Sequence, residues 1–532
     1  MHRTPEFNVA TRFVDRHILE GRAGKTAIEY LDERVNYQQL ADRTNRVGNV
    51  LRRLGVESGE RVLLLLPDTP EFLYCFFGAI KIGAVAVPLN TLLKPHEYEF
   101  LLNDAQANIA VVAEFLLPLL EVTPRERFKY LREIVVVDNS KQRHLRLGDA
   151  MAGASSELQP APMRKEDPAF WLYSSGSTGP PKACVHAHQD MLVCSERYAK
   201  GILNISDRDR CYSVARLFFA YGLGNAGYFP LYAGGTAILS QGQPTAAGIF
   251  ANIERYRPTL FFSVPSNYAA LLAYRREDCR EFDLSSVRLA ISAGEALPEV
   301  IFERFKQRFG IEILDGLGST ETLQTVISNR PGEVRPGSTG RVVPGYEAKI
   351  VDENGRSVAV GAVGILMIKG DSICSGYWNG QGKTEGPFAD HWFRTGDRYY
   401  QDQDGYFWNA GRTVDTFKVN GRWLNPSEVE GALIAHPSVH QAAVVPREDE
   451  VGLTKAAAYV VLAPNVPPSD QLVRELRDLV EQRIGRFKRP KWIEFVSELP
   501  KTATGKVQRF KLRGLQAHHD SESAADHQKL TS

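Results

Sequence analysis

Short apolar runs alternate with longer stretches along the first half of the chain: "RVLLLLP", "TPEFLYCFFGAIKIG", "AVAVPLN", "HEYEFLLNDAQA", "IAVVA" and "EIVVVDN". Short aliphatic runs bounded by Gly, Pro or Asn read as buried strands and the longer stretches as helices. Strands alternating with helices predict parallel pairing through crossover helices. The same succession returns in "VRLAISAGEALPEVIFERFKQRFGIEILDGLGSTE" as strand, turn, helix, strand and turn, with Pro298 in the first helical turn and Gly310 at its end. Ligands of open α/β sheets gather at the carboxyl ends of strands, where "SAGEA" and "DGLGSTE" fall.

After about residue 412 the pattern changes. "HQAAVVP" and "KAAAYVVLA" read as short strands. In "SDQLVRELRDLVEQRIG", Leu472, Val473, Leu476, Leu479, Val480 and Ile484 form one helical stripe, with Ser469 to cap its start and Gly485 its end. The expected fold class is α/β, with a large N-terminal domain of α/β subdomains over residues 1–411 and a small mobile α+β domain over 412–515. Residues 516–532 are polar and expected to be disordered.

Composition narrows the function classes. In 532 residues, 64 Lys plus Arg balance 63 Asp plus Glu, so no global field draws the chain to nucleic acid or an anionic membrane. The six cysteines form no C-x-x-C pair and no ligand-like spacing with His, which fits a reducing compartment and no structural zinc. The opening residues lack the apolar core of a secretory signal, and the apolar runs are short of the about 20 residues a bilayer needs; a cytoplasmic enzyme or binding protein is expected.

The segment "YSSGSTGPPKA" sits between strand-like runs rather than polar ones, which favours a held loop over a linker. It is not a P-loop: Gly176 and Gly179 are too close, and Lys182 follows two prolines and precedes a strand-like stretch. Its ingredients still suit phosphate, because glycines let backbone amides converge, Ser174, Ser175, Ser177 and Thr178 offer hydroxyls, and Lys182 a compact charge. On those residues alone, a phosphate loop and a structural turn are equally supported.

The segments "YSSGSTGPPK", "SAGEALP", "DGLGSTE", "FRTGDRY", "NAGRTVDTFKVNG" and "PKTATGKVQRFKL" follow one another in the order found in adenylate-forming enzymes. Over roughly residues 8–515 the chain resembles the superfamily of acyl-CoA synthetases, and "LFFAYGLGNA", "SGYWNG" and "LPKTATGKVQRFKLR" resemble the benzoate-CoA ligases within it. The resemblance implies an AMP-forming acid-thiol ligase that converts benzoate, or an amino- or hydroxy-substituted benzoate, into its adenylate and then its CoA thioester. ATP and CoA are the implied co-substrates and Mg²⁺ the implied ion, with no nucleic-acid or membrane partner and a homodimer as an allowed assembly.

By the same resemblance, Ser174, Ser175, Gly176, Ser177, Thr178, Gly179 and Lys182 face the ATP phosphates. Thr320 binds the α-phosphate and Glu321 helps hold Mg²⁺. Gly294, Glu295, Ala296, Asp315, Gly316 and Leu317 form the adenine slot, while Asp397 reaches the ribose and Arg412 the same sugar or phosphate. The acid pocket maps to Ala220, Tyr221, Gly222, Gly318, Gln324 and Thr325. Lys506 is the implied catalytic ammonium, and Lys418 and Gly421 line a CoA tunnel after the small domain rotates.

Each reading has a plainer rival. "STE" could be a helix N-cap with a first-turn acid, Asp397 and Arg412 an ordinary ion pair, and Lys506 an exposed lysine. The basic run "RFKRPKW" could be a solvated face rather than a CoA phosphate contact. Gln324 and Thr325 stand where benzoate enzymes commonly carry His and Ile, which points to a polar ring substituent; Val414 and Ala183 also depart from the family pattern. Loading of a carrier protein, a medium-chain acyl substrate, and a nucleotide sensor without turnover are the alternative functions.

Overall fold

The apolar runs become strands of two large sheets in a computed structural model that describes residues 7–137, 144–174, 181–276, 280–380, 387–389, 391–413, 415–419, 422–501 and 507–513. One sheet of seven strands runs in the order 145–146, 133–137, 109–113, 61–65, 85–88, 168–174 and 182–187. Its pairs are parallel except the last, Pro168–Ser174 with Lys182–Ala187, which is antiparallel. The second sheet of nine strands is parallel from 313–318 through 289–293, 260–263, 210–213 and 236–239 to 26–30, with antiparallel strands at both edges.

One continuous core joins the two sheets. Its middle layer includes the helix Pro70–Lys81, in which every residue except Glu71 is buried, as expected of a helix apolar all round. The outer face of the nine-stranded sheet buries the helices Ala246–Tyr256, Pro265–Ala273 and Glu299–Phe309. Pro298 stands one position ahead of its expected place: with ψ 134° it is outside the Glu299–Phe309 helix, although its carbonyl accepts from Ile301 N–H at 2.9 Å. Gly310 closes that helix at φ 71°, a left-handed geometry that favours glycine.

A third, antiparallel sheet contains 347–351, 364–369, 388–389, 392–401 and 407–412. Beyond it lie the hairpin 417–419/422–424 and a three-stranded sheet of 439–448, 454–462 and 492–495, covered by Pro426–Ile434 and Asp470–Ile484. The Ser469 side chain accepts from Leu472 N–H and Gly485 ends the second helix, as its pattern predicts. The fold is a large α/β N-terminal domain with a small α+β C-terminal domain. The small domain touches the large one where Arg304 Nη2 donates to Ala435 O at 3.0 Å.

Candidate active site

The strands Pro168–Ser174, Leu289–Ala293 and Ile313–Gly318 all release their loops at carboxyl ends, and most of the expected residues lie there. Ser175, Gly176, Ser177, Thr178 and Gly179 fall outside the described residues, but the ends of their loop are fixed. Ser174 pairs with Lys182 across the antiparallel strands, and Lys182 Nζ stands 5.1 Å from the centre of the Tyr377 ring. The Tyr377 hydroxyl donates to Glu321 Oε1 at 2.8 Å, so one phenol bridges the loop lysine and the acid of "STE". Burial, then the Glu321 charge, pushes that phenol's pKa far up and keeps it a donor.

"STE" does not open a helix. The chain turns back through Leu323, at φ 66°, into the antiparallel strand Thr325–Ser328. Three successive carbonyls, from Thr320 to Thr322, are gripped in turn: Thr320 O accepts from His186 Nε2 at 2.8 Å, Glu321 O from Cys374 N–H at 2.8 Å and Thr322 O from Ser372 Oγ at 2.9 Å. His186 is itself held by Asp190, with Nδ1 2.9 Å from Oδ2, and both side chains are buried. Burial pulls the imidazole pKa down, but the Asp190 hydrogen bond and charge outweigh it and hold it above the ordinary value. With its backbone locked, the turn leaves the half-buried Thr320 and Glu321 side chains to the cleft.

Asp315, expected in the adenine slot, lies in register with Ser263 and Ser292 across three adjacent strands. All three are buried. Burial, the largest effect, raises the Asp315 pKa above the ordinary carboxylate value, against hydrogen bonds from the Leu297 and Gly316 backbone and the Ser292 side chain. Gly294 takes φ 93° after its strand, a turn that favours glycine, and is followed by half-buried Glu295 and Ala296; Gly316 and Leu317 extend the Asp315 strand. Asp397 and Arg412 pair across their strands, Arg412 Nε to Oδ1 at 2.9 Å, and Asp397 and then burial set the Arg412 pKa, raised overall, with Glu321 within electrostatic range.

Of the residues expected in the acid pocket, Ala220–Gly222 continue into the π-helical turn Leu223–Tyr228. The Tyr221 hydroxyl reaches the carbonyls of Ser263 and Ile291, both at 3.3 Å, so the ring spans from the helix to the strand ends. Gln324 is spent on the wall: Nε2 donates to Ala220 O at 3.2 Å, Tyr221 O at 3.1 Å and Asn225 Oδ1 at 3.4 Å, while Oε1 accepts from Thr325 N–H at 3.1 Å. A Cβ on Gly224 would meet Gln324 Nε2 at 2.2 Å, and one on Gly318 would meet Gln324 O at 2.6 Å. Both glycines therefore admit this packing.

Lys506 and Gly421 lie outside the described residues, as does Val414. Beside Lys506, Lys501 and Val507 form an isolated bridge, and Val507 N–H donates to Glu295 Oε1 at 3.3 Å. Lys418 is exposed on the strand Phe417–Val419. The basic run is tied to its own domain: Lys488, Arg489 and Lys491 pair with Glu428, Glu481 and Asp449. His186, Asp190 and Tyr377 escaped sequence reasoning, although the spacing of His186 and Asp190, one turn apart where strand passes to helix, was a usable signal.

Among the described residues no cluster of three His, Cys, Asp or Glu could hold a metal alone, and the cysteines are buried and unpaired. A single carboxylate beside a phosphate loop still suits Mg²⁺, which takes one or two carboxylates and completes its shell with phosphate and water oxygens.

These features define an adenylate-forming site, and the chain belongs to the AMP-binding enzyme family, matching it over residues 15–378 and the AMP-binding enzyme C-terminal domain over 428–506. Within that family it groups with the benzoate-CoA ligases. It is 44% identical to the benzoate–CoA ligase of Thauera aromatica over 96% of this chain and 97% of that one. It is 40% identical to the 4-hydroxybenzoate–CoA/benzoate–CoA ligase of Rhodopseudomonas palustris, over 96% and 94%. The crystal structure of the anthranilate CoA ligase AuaEII with anthranoyl-AMP superposes with a TM-score of 0.93 at 40% identity, covering 98% of this chain and 99% of that one.

Proposed function

We propose that the protein is an ATP-dependent aryl-CoA ligase acting on benzoate or an amino- or hydroxy-substituted benzoate. The observation that carries this reading is the single segment Asp315–Thr325. It supplies in sequence the buried adenine-side acid, the glycine of the acid slot, the anchored Thr320 and Glu321, and the Gln324 that fixes the Tyr221 wall. Nucleotide and aromatic acid thus meet along one strand and one turn, with the acid's carboxylate directed to the α-phosphorus.

A carboxylate cannot expel its own oxygen at neutral pH. In the first half-reaction a carboxylate oxygen attacks the α-phosphorus of ATP, the bond from that phosphorus to the bridging oxygen breaks, and pyrophosphate leaves. Lys182 and the serine loop hold the outer phosphates, Thr320 the α-phosphate, and Asp397 with Arg412 the ribose. Glu321 would hold Mg²⁺, which when bound neutralises phosphate charge. Lys506 bridges carboxylate and α-phosphate as charge develops; the contact of its neighbour Val507 with Glu295 supports a delivery from the adenine side.

In the second half-reaction the CoA sulfur attacks the acyl carbon and AMP leaves with its phosphate oxygen. The small domain, taken to begin at residue 412, then turns so that Lys418 and Gly421 line the thiol's path. A cytoplasmic location follows from the need for ATP and CoA and suits the buried thiols. Assay of benzoate, hydroxybenzoates, 2-aminobenzoate and a medium-chain fatty acid with ATP, Mg²⁺ and CoA tests the reading. AMP and aryl-CoA should form together from an aromatic acid; turnover of the fatty acid alone would refute it.

A further inference from the structure

A lysine and a glutamate on neighbouring segments attract each other, and a pair so formed has to be broken before either charge can serve a ligand. Lys182 and Glu321 are such groups, both half-buried, yet each meets Tyr377 instead of the other. The phenol suits both because its two parts have opposite polarity. Its ring face is electron-rich and takes the Lys182 ammonium 5.1 Å from the ring centre, while its one O–H proton goes to Glu321 Oε1 at 2.8 Å.

Backbone contacts place all three groups. Lys182 begins the strand Lys182–Ala187, and that strand holds the Tyr377 segment: Val185 N–H donates to Gly376 O at 3.0 Å, Ser375 N–H donates to Val185 O at 2.9 Å, and Cys184 bridges Tyr377. Glu321 is tied to the same segment through its own carbonyl, which accepts from Cys374 N–H at 2.8 Å. Beyond Tyr377, Trp378 Nε1 donates to Asp104 O at 3.0 Å and Asn379 Nδ2 to Asp104 Oδ1 at 3.1 Å, and the Phe388 ring meets the phenol edge-on with centres 5.3 Å apart. Arg412, a second cation within electrostatic range of Glu321, is held by Asp397.

We infer that Tyr377 is a positioning residue for nucleotide binding: it keeps the Lys182 ammonium and the Glu321 carboxylate apart, so that the first stays available to the ATP phosphates and the second to Mg²⁺. This rests on the roles that the ligase reading gives to Lys182 and Glu321, and it adds the residue that separates them. Without the hydroxyl, the carboxylate is free to turn to Lys182 or Arg412, and ATP and the metal ion then have to displace an ion pair within the protein. A tyrosine that only packs would act differently. Its loss would lower stability and weaken both half-reactions alike, with no bias toward the nucleotide.

The test is Tyr377→Phe, which removes one oxygen and keeps the ring against Lys182 and Phe388. The KM for ATP in acid-dependent pyrophosphate exchange should rise about tenfold, and Mn²⁺, followed by water-proton relaxation, should bind the enzyme–ATP complex about tenfold more weakly than in the wild type. The KM for the aromatic acid, thioester formation from supplied aryl-AMP and the melting temperature should stay near wild type. Unchanged ATP and Mn²⁺ affinity, or equal losses in both half-reactions, would overturn the assignment and leave the aryl-ligase reading standing. A wild type that shows no exchange with any aromatic acid would instead remove the parent reading, and this one with it.

Discussion

Asp315 shows burial setting chemistry at a single residue. Its carboxyl is buried within the strand Ile313–Gly318, and burial raises its pKa well above the ordinary carboxylate value against hydrogen bonds from Ser292 and the backbone. A carboxyl raised on folding stabilises least when pH is high: the cost is absent below the unfolded pKa and grows as pH rises through the interval up to the folded value. Asp315→Asn replaces it with a neutral group of the same shape. The variant should melt above the wild type at pH 7–8, the difference should vanish near pH 4, and the KM for ATP should stay within about threefold. A melting difference independent of pH would show that Asp315 is ionised. Sequence could place Asp315 in an adenine slot only by resemblance, since its burial arises from strands distant in the chain.

The strand Lys182–Ala187 organises the site at the scale of elements. It starts with Lys182, expected to face the ATP phosphates, bonds backbone-to-backbone with Ser375 and Gly376 through Val185, and grips the Thr320 carbonyl through His186. We expect His186 to position Thr320 and Glu321 without touching substrate. His186→Gln can still donate to that carbonyl, whereas His186→Leu cannot and also leaves Asp190 buried without its partner. His186→Leu should lower acid-dependent ATP–pyrophosphate exchange by about 10- to 100-fold, and His186→Gln by clearly less, with transfer from supplied aryl-AMP to CoA little changed in either. Equal losses in both half-reactions would reduce His186 to a stability residue. Strands and helices were legible here because their apolar periods are local: "FLYCFFGAI" and the Leu472–Ile484 stripe fold as their patterns read. The "STE" turn was not, because a local pattern equally suited to an N-cap is decided by contacts with Cys374, Ser372 and His186.

Across the whole molecule, the small domain meets the large one beside Glu295, a residue expected in the adenine slot. The Arg304–Ala435 bond and the Val507–Glu295 bond cross between them, while inside the small domain Arg509 pairs with Glu430 through two nitrogens, Nη2 at 2.7 Å, and holds the segment after Lys506. With the boundary taken at residue 412, Arg412 with Asp397 and Thr413 with Gly396 link the two domains as well. The order of motifs made this division legible in sequence; the Arg304–Ala435 and Val507–Glu295 ties join residues more than a hundred positions apart and were not. The most direct measurement compares the two half-reactions in Lys506→Ala. The account predicts a loss of about 10² to 10³ in adenylation, followed as acid-dependent pyrophosphate exchange, with thioester formation from supplied aryl-AMP nearly intact. Equal loss in both, or no loss in adenylation, would contradict it.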